Sequence, residues 1–404
     1  MQQWRQYKLI DILDKIIDYR GKTPQKTDAG IPLITAKIIK DGRILPPNEF
    51  IAESNYDKWM VRGIPQEGDV VLTVEAPLGE VAQLGNEKIA LAQRVVTLRG
   101  KEGVLDNTFL KYFLMSQVGQ ARLKARETGT TVTGIKQSEL REVLIDCPNY
   151  EHQLQIASIL RAIDNKIENN RKINDNLEQQ IQTLYREWFI DNPKTEWATI
   201  ALSEVATFVS GYSYKGHELV DSSETAMATI KNFERNGGFK LDGYKPVSPS
   251  SKLKEEQHAE LFDILVAHTD LTQNAEVIGN AEIILSKDSY RDVIFSMDLV
   301  KVVAKESFPY QFLLALLLKN PVFKSHCIGY VNGTTVLHMN KRALPDFNTQ
   351  IPTCEDAARM NEIAKSIFTK MSENLSEIAN LTKLRDSLLP KLMSGELKIN
   401  EIDC

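Results

Sequence analysis

The chain has 404 residues, enough for two to four domains with a core each. Its 49 Lys+Arg against 54 Asp+Glu give a formal charge of −5, which excludes a uniformly basic nucleic-acid coat but leaves room for local basic faces. The longest apolar run, Phe312 to Leu318, is too short for a transmembrane helix, and the charged start MQQWRQYKLIDILDK lacks a signal peptide's apolar core, so a cytoplasmic chain with no membrane partner is expected. Cys147, Cys327, Cys354 and Cys404 form no C-x-x-C pair, so neither a zinc site nor a disulfide framework is expected.

In chain order, residues 1–150 read as a mixed globule. Short apolar runs at Val70–Val74 and Arg94–Leu98 predict strands, with Gly and Pro between them. One amphipathic helix is predicted over about 107–126, with Asp106-Asn107 as its cap. Residues 151–190 then read as one long helix. Ile156, Leu160, Ile163, Ile167, Asn170, Asn174, Leu177, Ile181, Leu184 and Trp188 follow a 4-3-4-3 spacing, the heptad of a coiled coil. Residues 197–353 form a second globule, with a strand at Asp298–Val303 and a helix over about 309–324 after Ser307 and Pro309. Residues 354–396 form a second long helix with the seam Met360, Ala364, Ile367, Met371, Asn374, Ile378, Leu381, Arg385, Leu388 and Leu392. Buried Asn170 and Asn374 would fix the register of the seam, and Pro390 should end or kink the second helix.

Self-comparison explains this order. Gly129-Thr130-Thr131-Val132 recurs as Gly333-Thr334-Thr335-Val336, 204 residues later. The same offset gives 14 identities over the 60 positions 129–188, among them Pro148 with Pro352 and Glu151 with Glu355. Trp4 and Leu9 also match Trp197 and Leu202 at an offset of 193. The halves are repeats whose front parts have diverged and whose helical backs have not. The expected fold is α+β: two α/β globules joined by two long antiparallel coiled-coil helices, with a pseudo-two-fold internal repeat. An antiparallel pair would put the globules at opposite ends, because the short link at 189–198 is no return connection for a parallel one. A helix of roughly 35 residues spans about 50 Å, more than one turn of duplex DNA.

This arrangement resembles the DNA-specificity subunit of type I restriction–modification systems. The segments that carry the resemblance are Gly68–Gly79, Ala92–Val96, Asp263–Leu271 with Val277-Ile278-Gly279, the two G-T-T-V loops, the Pro148 and Pro352 helix starts, Leu184–Phe189 and Leu388–Leu397. Together they span nearly the whole chain. The resemblance implies two target-recognition domains that each read one half of a split DNA sequence. It implies helices that set the unread spacer and dock two methyltransferase subunits, with translocase-nuclease subunits completing the complex. S-adenosylmethionine, ATP and magnesium are then expected on partner subunits, and no cofactor or metal on this chain.

The residues agree with a non-enzymatic role. There is no G-x-x-x-x-G-K-[S/T] loop, no Asn-Pro-Pro-Tyr-type methyltransferase signature and no H-E-x-x-H among the six histidines. Residues 108–141 hold six Lys/Arg against two Glu. Phosphate contacts are therefore expected from Arg122, Lys124, Arg126, Thr130, Thr131 and Lys136 in the first globule, and from Lys324, Thr334, Thr335, Lys341 and Arg342 in the second. Gln93 and Arg94 carry the bidentate groups that suit adenine and guanine edges. Lys37, Arg62, Lys231, Asn232, Thr269 and Asp270 are further candidates, and Tyr212, Tyr214, Phe233 and Phe239 could stack on a base, although core packing is the more ordinary role of an aromatic. Each basic or polar group also has a plain alternative as a helix cap or solvated side chain. Tyr185, Trp188 and Phe189 are expected to face outward toward the methyltransferase. The competing readings are a coiled-coil adaptor between two protein partners and a decoy for methyltransferases. An adaptor for two like partners would gain nothing from globules that differ while the helices agree.

Overall fold

The computed structural model describes residues 4–129, 133–250 and 252–397. Thr130 and Thr131 lie outside the described residues. The chain packs as two compact units, Met1–Lys166 with Leu381–Cys404, and Ile167–Asn380.

In the first unit the apolar run Val70–Val74 is an inner strand. It pairs antiparallel with Val95–Gly100 on one side and Leu78–Gln83 on the other, and Leu13–Asp18 closes the sheet beyond Val95–Gly100. Side chains alternate across a strand, so a run buried along its whole length must meet two cores. Val70, Leu72 and Val74 join Phe109, Phe113, Ile156 and Leu392 in one core; Val71 joins Ile17, Leu33, Ala82 and Val95 in the other. A two-stranded ribbon, Arg5–Lys8 with Leu144–Cys147, brings the end of the globule to the start of the first long helix.

The second unit repeats this frame with a different sequence. Ala206–Ser210, Leu299–Ala304, Ile264–Ala267 and Ala281–Ile283 form a four-stranded antiparallel sheet in the same order. Ile264 and Val266 enter the core that holds Phe323 and Phe368, while Leu265 and Ala267 enter one with Phe233 and Phe295. Ala198–Ala201 pairs with Asn348–Ile351 as the matching ribbon.

The long helices run Tyr150–Tyr185 and Cys354–Ser394, and each contributes to both units. In the second unit Asn170 Nδ2 donates to Glu377 Oε2 at 2.7 Å, and Asn174 Nδ2 donates to the Met371 carbonyl at 3.1 Å, so the pairing is antiparallel. Asn374 Nδ2 donates to Asn174 Oδ1 at 2.8 Å. The two asparagines meet inside the seam, where a shift of register would leave both unpaired. The fold is thus α+β, with two α/β globules and a long antiparallel helix pair.

Three expectations need correction. The helix over 107–126 is two helices, Asn107–Met115 and Gln117–Lys124. Asp106 caps the first as expected, but the Ser116 hydroxyl caps the second by accepting from Gly119 N–H, and that new start breaks the run. The helix over 309–324 divides likewise into Gln311–Leu318 and Pro321–Ile328, where Asn320 is the cap and Pro321 occupies the first position, which needs no N–H. Pro390 does not end the second long helix. Leu389, Leu392 and Met393 are buried around it, and the helix stops at Gly395, whose φ of +71° suits glycine.

Candidate nucleic-acid interface

In the second globule the G-T-T-V motif is the turn of a hairpin. Val331–Asn332 pairs with Leu337–Met339, which pairs in turn with Thr269–Asp270 at the end of the inner sheet region. Gly333 has φ +121°, and a Cβ there would lie 2.2 Å from the Val336 carbonyl oxygen. Gly333→Ala should therefore loosen the hairpin by about 1–3 kcal/mol, the range for a non-glycine forced into such backbone. Amide exchange at Leu337–Met339 should speed up accordingly. Gly216→Ala, with open space and ordinary backbone, should leave exchange and stability unchanged.

Thr334 and Thr335 are exposed on the turn, and the Thr334 carbonyl accepts from Gln273 Nε2 at 2.7 Å. Lys341 and Arg342 are exposed just after it, and Arg342 lies 3.3 Å from Asp346. Burial foremost, and then the nearby His338 and Lys341, lower the pKa of His268 on the neighbouring segment, with Asp298 acting in the opposite direction. Lys324 is half-buried and donates to the Glu276 carbonyl at 2.6 Å; burial lowers its pKa.

In the first globule Thr128 and Gly134 exchange backbone hydrogen bonds at 2.7 and 3.0 Å and close the corresponding loop, with Gly129 at φ +108°. Gly134 bridges Glu75, and Ile135 N–H donates to the Val74 carbonyl, so this loop also lies against the end of the inner strand. Lys124 and Lys136 are exposed. Arg94 is exposed 3.9 Å from Glu75, and Lys37 is exposed 3.8 Å from Glu49. The Arg62 guanidinium donates to the Asp18 and Arg20 carbonyls at 3.0 and 2.8 Å, and Gln93 Oε1 accepts from Thr23 Oγ1 at 3.0 Å.

Several expected contacts are engaged elsewhere. Arg122 donates to the Leu144 carbonyl and to Asp146, both at 2.6 Å, and packs over Phe113; Arg126 pairs with Glu139 at 3.0 Å. Asn232 is fully buried. Its Oδ1 accepts from Thr229 N–H and its Nδ2 donates to the Lys240 carbonyl, so neither end can meet a base, while its neighbour Lys231 is exposed. Thr269 is buried and donates to Asp298. Asp270 is buried and ties its own loop by accepting from Thr272 and Val277. Tyr212 and Phe233 are buried as well.

The outward placement of Tyr185 and Phe189 is also overturned. Past Tyr185 the helix widens into a π-type turn over Arg186–Asp191. Tyr185 stacks on Phe189, and Phe189 on Trp197, at 5.3 and 5.0 Å, inside the core of the second unit. The returning chain at Trp197 supplies a third surface that heptad spacing does not reveal. Trp188 stays half-exposed, with Arg359 over its ring at 4.8 Å.

One central residue escaped the sequence reading. Arg20 is held by Asp18 through its Nε and guanidinium, and it also donates to the Ile135 carbonyl at 2.5 Å. Its own carbonyl receives Arg62. The only local hint is the Arg20-Gly21-Lys22-Thr23 string right after a strand, with Gly21 at φ +85°. The second globule secures its corresponding turn differently. The Glu218 carboxylate accepts from the Tyr212 hydroxyl, the Lys215 N–H and the Ser250 N–H, and these bonds, the Tyr212 one foremost, hold its pKa down to about 2. The second globule thus presents a Gly-turn hairpin, and each globule has a tied turn, with exposed hydroxyls and cations nearby. Such groups can donate to phosphate oxygens and base edges. Among the described residues no group of three His, Cys, Asp or Glu side chains could hold a metal ion, and no helix is long and apolar enough to cross a membrane.

Comparison with known proteins gives a consistent result. The model of the type I restriction modification DNA specificity domain matches residues 1–179. The specificity subunit of the type I restriction enzyme MjaIX from Methanocaldococcus jannaschii is 25% identical over 370 residues, covering 87% of this chain and 82% of the relative. The HindI specificity subunit of Haemophilus influenzae is 25% identical over 361 residues, covering 73% and 76%. The crystal structure of a type I restriction-modification S subunit from M. genitalium has a similar fold, with a TM-score of 0.58 at 18% identity and 96% coverage of both chains.

Proposed function

We propose that the chain belongs to the type I restriction–modification DNA-specificity family and is the subunit that selects the DNA sequence, each globule reading one half of a bipartite target. The observation that carries this reading is the contrast between frame and loops. Both globules share the four-stranded sheet order and the ribbon to the long helix. Yet the first offers Gln93 and Arg94, and the second offers Lys341 and Arg342. A shared frame suits two half-sites met in the same way; unlike loops suit two different base sequences.

In this reading Lys124, Lys136, Lys231, Thr334, Thr335, Lys341 and Arg342 position the phosphates, and Gln93 and Arg94 read bases. The helices set the unread spacer and dock two methyltransferase subunits, for which the half-exposed Trp188 is the remaining candidate contact. Restriction-translocase subunits complete the assembly in the cytoplasm. S-adenosylmethionine, ATP and magnesium belong to those partners, and the chain itself is not an enzyme.

The test is co-expression with the cognate methyltransferase subunit, followed by mapping of modified adenines in the host genome. A bipartite motif is expected, with one adenine modified in each half. Exchanging residues 1–150 for the corresponding part of another specificity subunit should change one half alone. A contiguous motif, or methylation that does not depend on this chain, would reject the reading.

A further inference from the structure

We infer that the Tyr19–Thr23 turn is a base-reading element of the first globule, in which Thr23 sets the orientation of the Gln93 amide; the inference rests on the DNA-recognition reading above. The turn is unusually well anchored for a loop. Asp18 grips Arg20 through Nε at 2.8 Å and also accepts the Arg20 backbone N–H at 2.9 Å. Arg20 reaches the Ile135 carbonyl at the base of the Gly129 loop, and Arg62 returns to the Asp18 and Arg20 carbonyls. The buried Tyr19 hydroxyl accepts from Arg62 N–H at 3.0 Å and donates to the Gly63 carbonyl at 2.9 Å. The strand end, the Ile135 backbone and the 60–63 loop are therefore tied to this turn. Arg20, paired with a carboxylate and half-buried, is a clamp rather than a phosphate ligand.

The chain leaves this clamp at Gly21, where φ is +85° and nothing lies within 4 Å of a would-be Cβ. Lys22 and Thr23 consequently stand exposed. The Thr23 hydroxyl donates to Gln93 Oε1 at 3.0 Å. A glutamine amide reads adenine by accepting from N6–H and donating to N7, so its oxygen and nitrogen must be presented in the right order. An unrestrained glutamine must be ordered among its rotamers on binding, at an entropic cost. The Thr23 bond takes one lone pair of Oε1 and leaves the other, with both N–H groups, for a base edge. Thr23 is thus a positioning residue acting through Gln93, and Lys22 on the same turn supplies a cation for the adjacent phosphate.

The experiment uses the full chain in complex with its methyltransferase subunit. Methylation rates are measured on duplexes carrying each of the four bases at every position of the half-site assigned to residues 1–150. Thr23→Val should lower discrimination at one position of that half by about tenfold, the scale of one hydrogen bond to a base edge, with the other half unchanged. Thr23→Ser should restore it. Gln93→Ala should lose discrimination at the same position, and Thr23→Val should add nothing in that background. Equal slowing on all duplexes, or failure of Thr23→Ser to restore selectivity, would overturn the inference and leave the half-site reading standing. A wild-type complex with no bipartite preference would instead overturn the half-site reading, and the inference with it.

Discussion

Asp164→Ala should destabilise the first unit by about 3–5 kcal/mol, the usual cost of removing one partner from a buried ionic cluster. Asp164 lies on the first long helix and is largely buried. Its carboxylate receives Lys111 Nζ at 2.8 Å and the Tyr112 hydroxyl at 2.7 Å from the globule, and Arg385 at 3.2 Å from the second long helix. The alanine variant would leave two largely buried cations without that carboxylate, with Asp386 beside Arg385 as partial compensation. Replacing Asp164 and Lys111 together by Leu and Met should cost far less than the sum of the single changes, and a double-mutant cycle in urea measures that difference. The pH dependence has a definite sign. Burial pushes the Asp164 pKa up, but Lys111, Tyr112 and Arg385 outweigh it and hold the carboxyl below its ordinary value. The stabilisation is therefore present above about pH 4, the unfolded range of aspartate, and is lost as pH falls through the lower folded value. Wild-type and Asp164→Asn proteins should accordingly converge in stability at strongly acidic pH.

Lys319→Met should be comparably damaging to the second unit, about 3–5 kcal/mol, for the opposite electrostatic reason. Lys319 Nζ lies 2.7 Å from Glu282 on the sheet and 2.9 Å from Glu178 on the first long helix. Burial alone would lower its pKa, but the two carboxylates dominate and raise it above the ordinary lysine value. Its contribution is therefore constant across neutral pH and fades as pH rises through that raised value. Without the ammonium, the half-buried Glu178 and the buried Glu282 would be left near each other with no cation between them, and two such carboxylates resist ionising together. The variant, unlike the wild type, should regain thermal stability as the pH is lowered. A variant whose melting temperature fell in parallel with the wild type on acidification would show that the lysine does not separate the two carboxylates.

Both clusters illustrate what could be read from the chain and what could not. The seam residues Ile156, Leu160, Ile181, Met360 and Ala364 follow a heptad, and they are buried as that spacing requires. Asp106 announces its helix, because a cap acts over three residues. The largely apolar run at Val70–Val74 is an inner strand, because a run buried on both faces does not alternate apolar with charged residues. Asp164, by contrast, breaks no pattern, and nothing near it in sequence names Lys111 or Arg385 as its partners.

Local periodicity and the 204-residue echo were thus enough for the repeat and the paired helices, since each is written in neighbouring residues. The fate of individual polar groups was not. Arg122 meets Asp146, Thr269 meets Asp298, Arg20 meets Ile135 and Phe189 meets Trp197 through folding of the chain back on itself. A hydrogen bond or aromatic stack is decided by a few ångströms of approach between distant segments, which composition and spacing do not encode. For that reason Asn232, Thr269 and Tyr185 look like surface groups on paper and lie inside the protein, while the Arg20–Thr23 turn bonds to Arg62, Gln93 and Ile135, all distant in sequence.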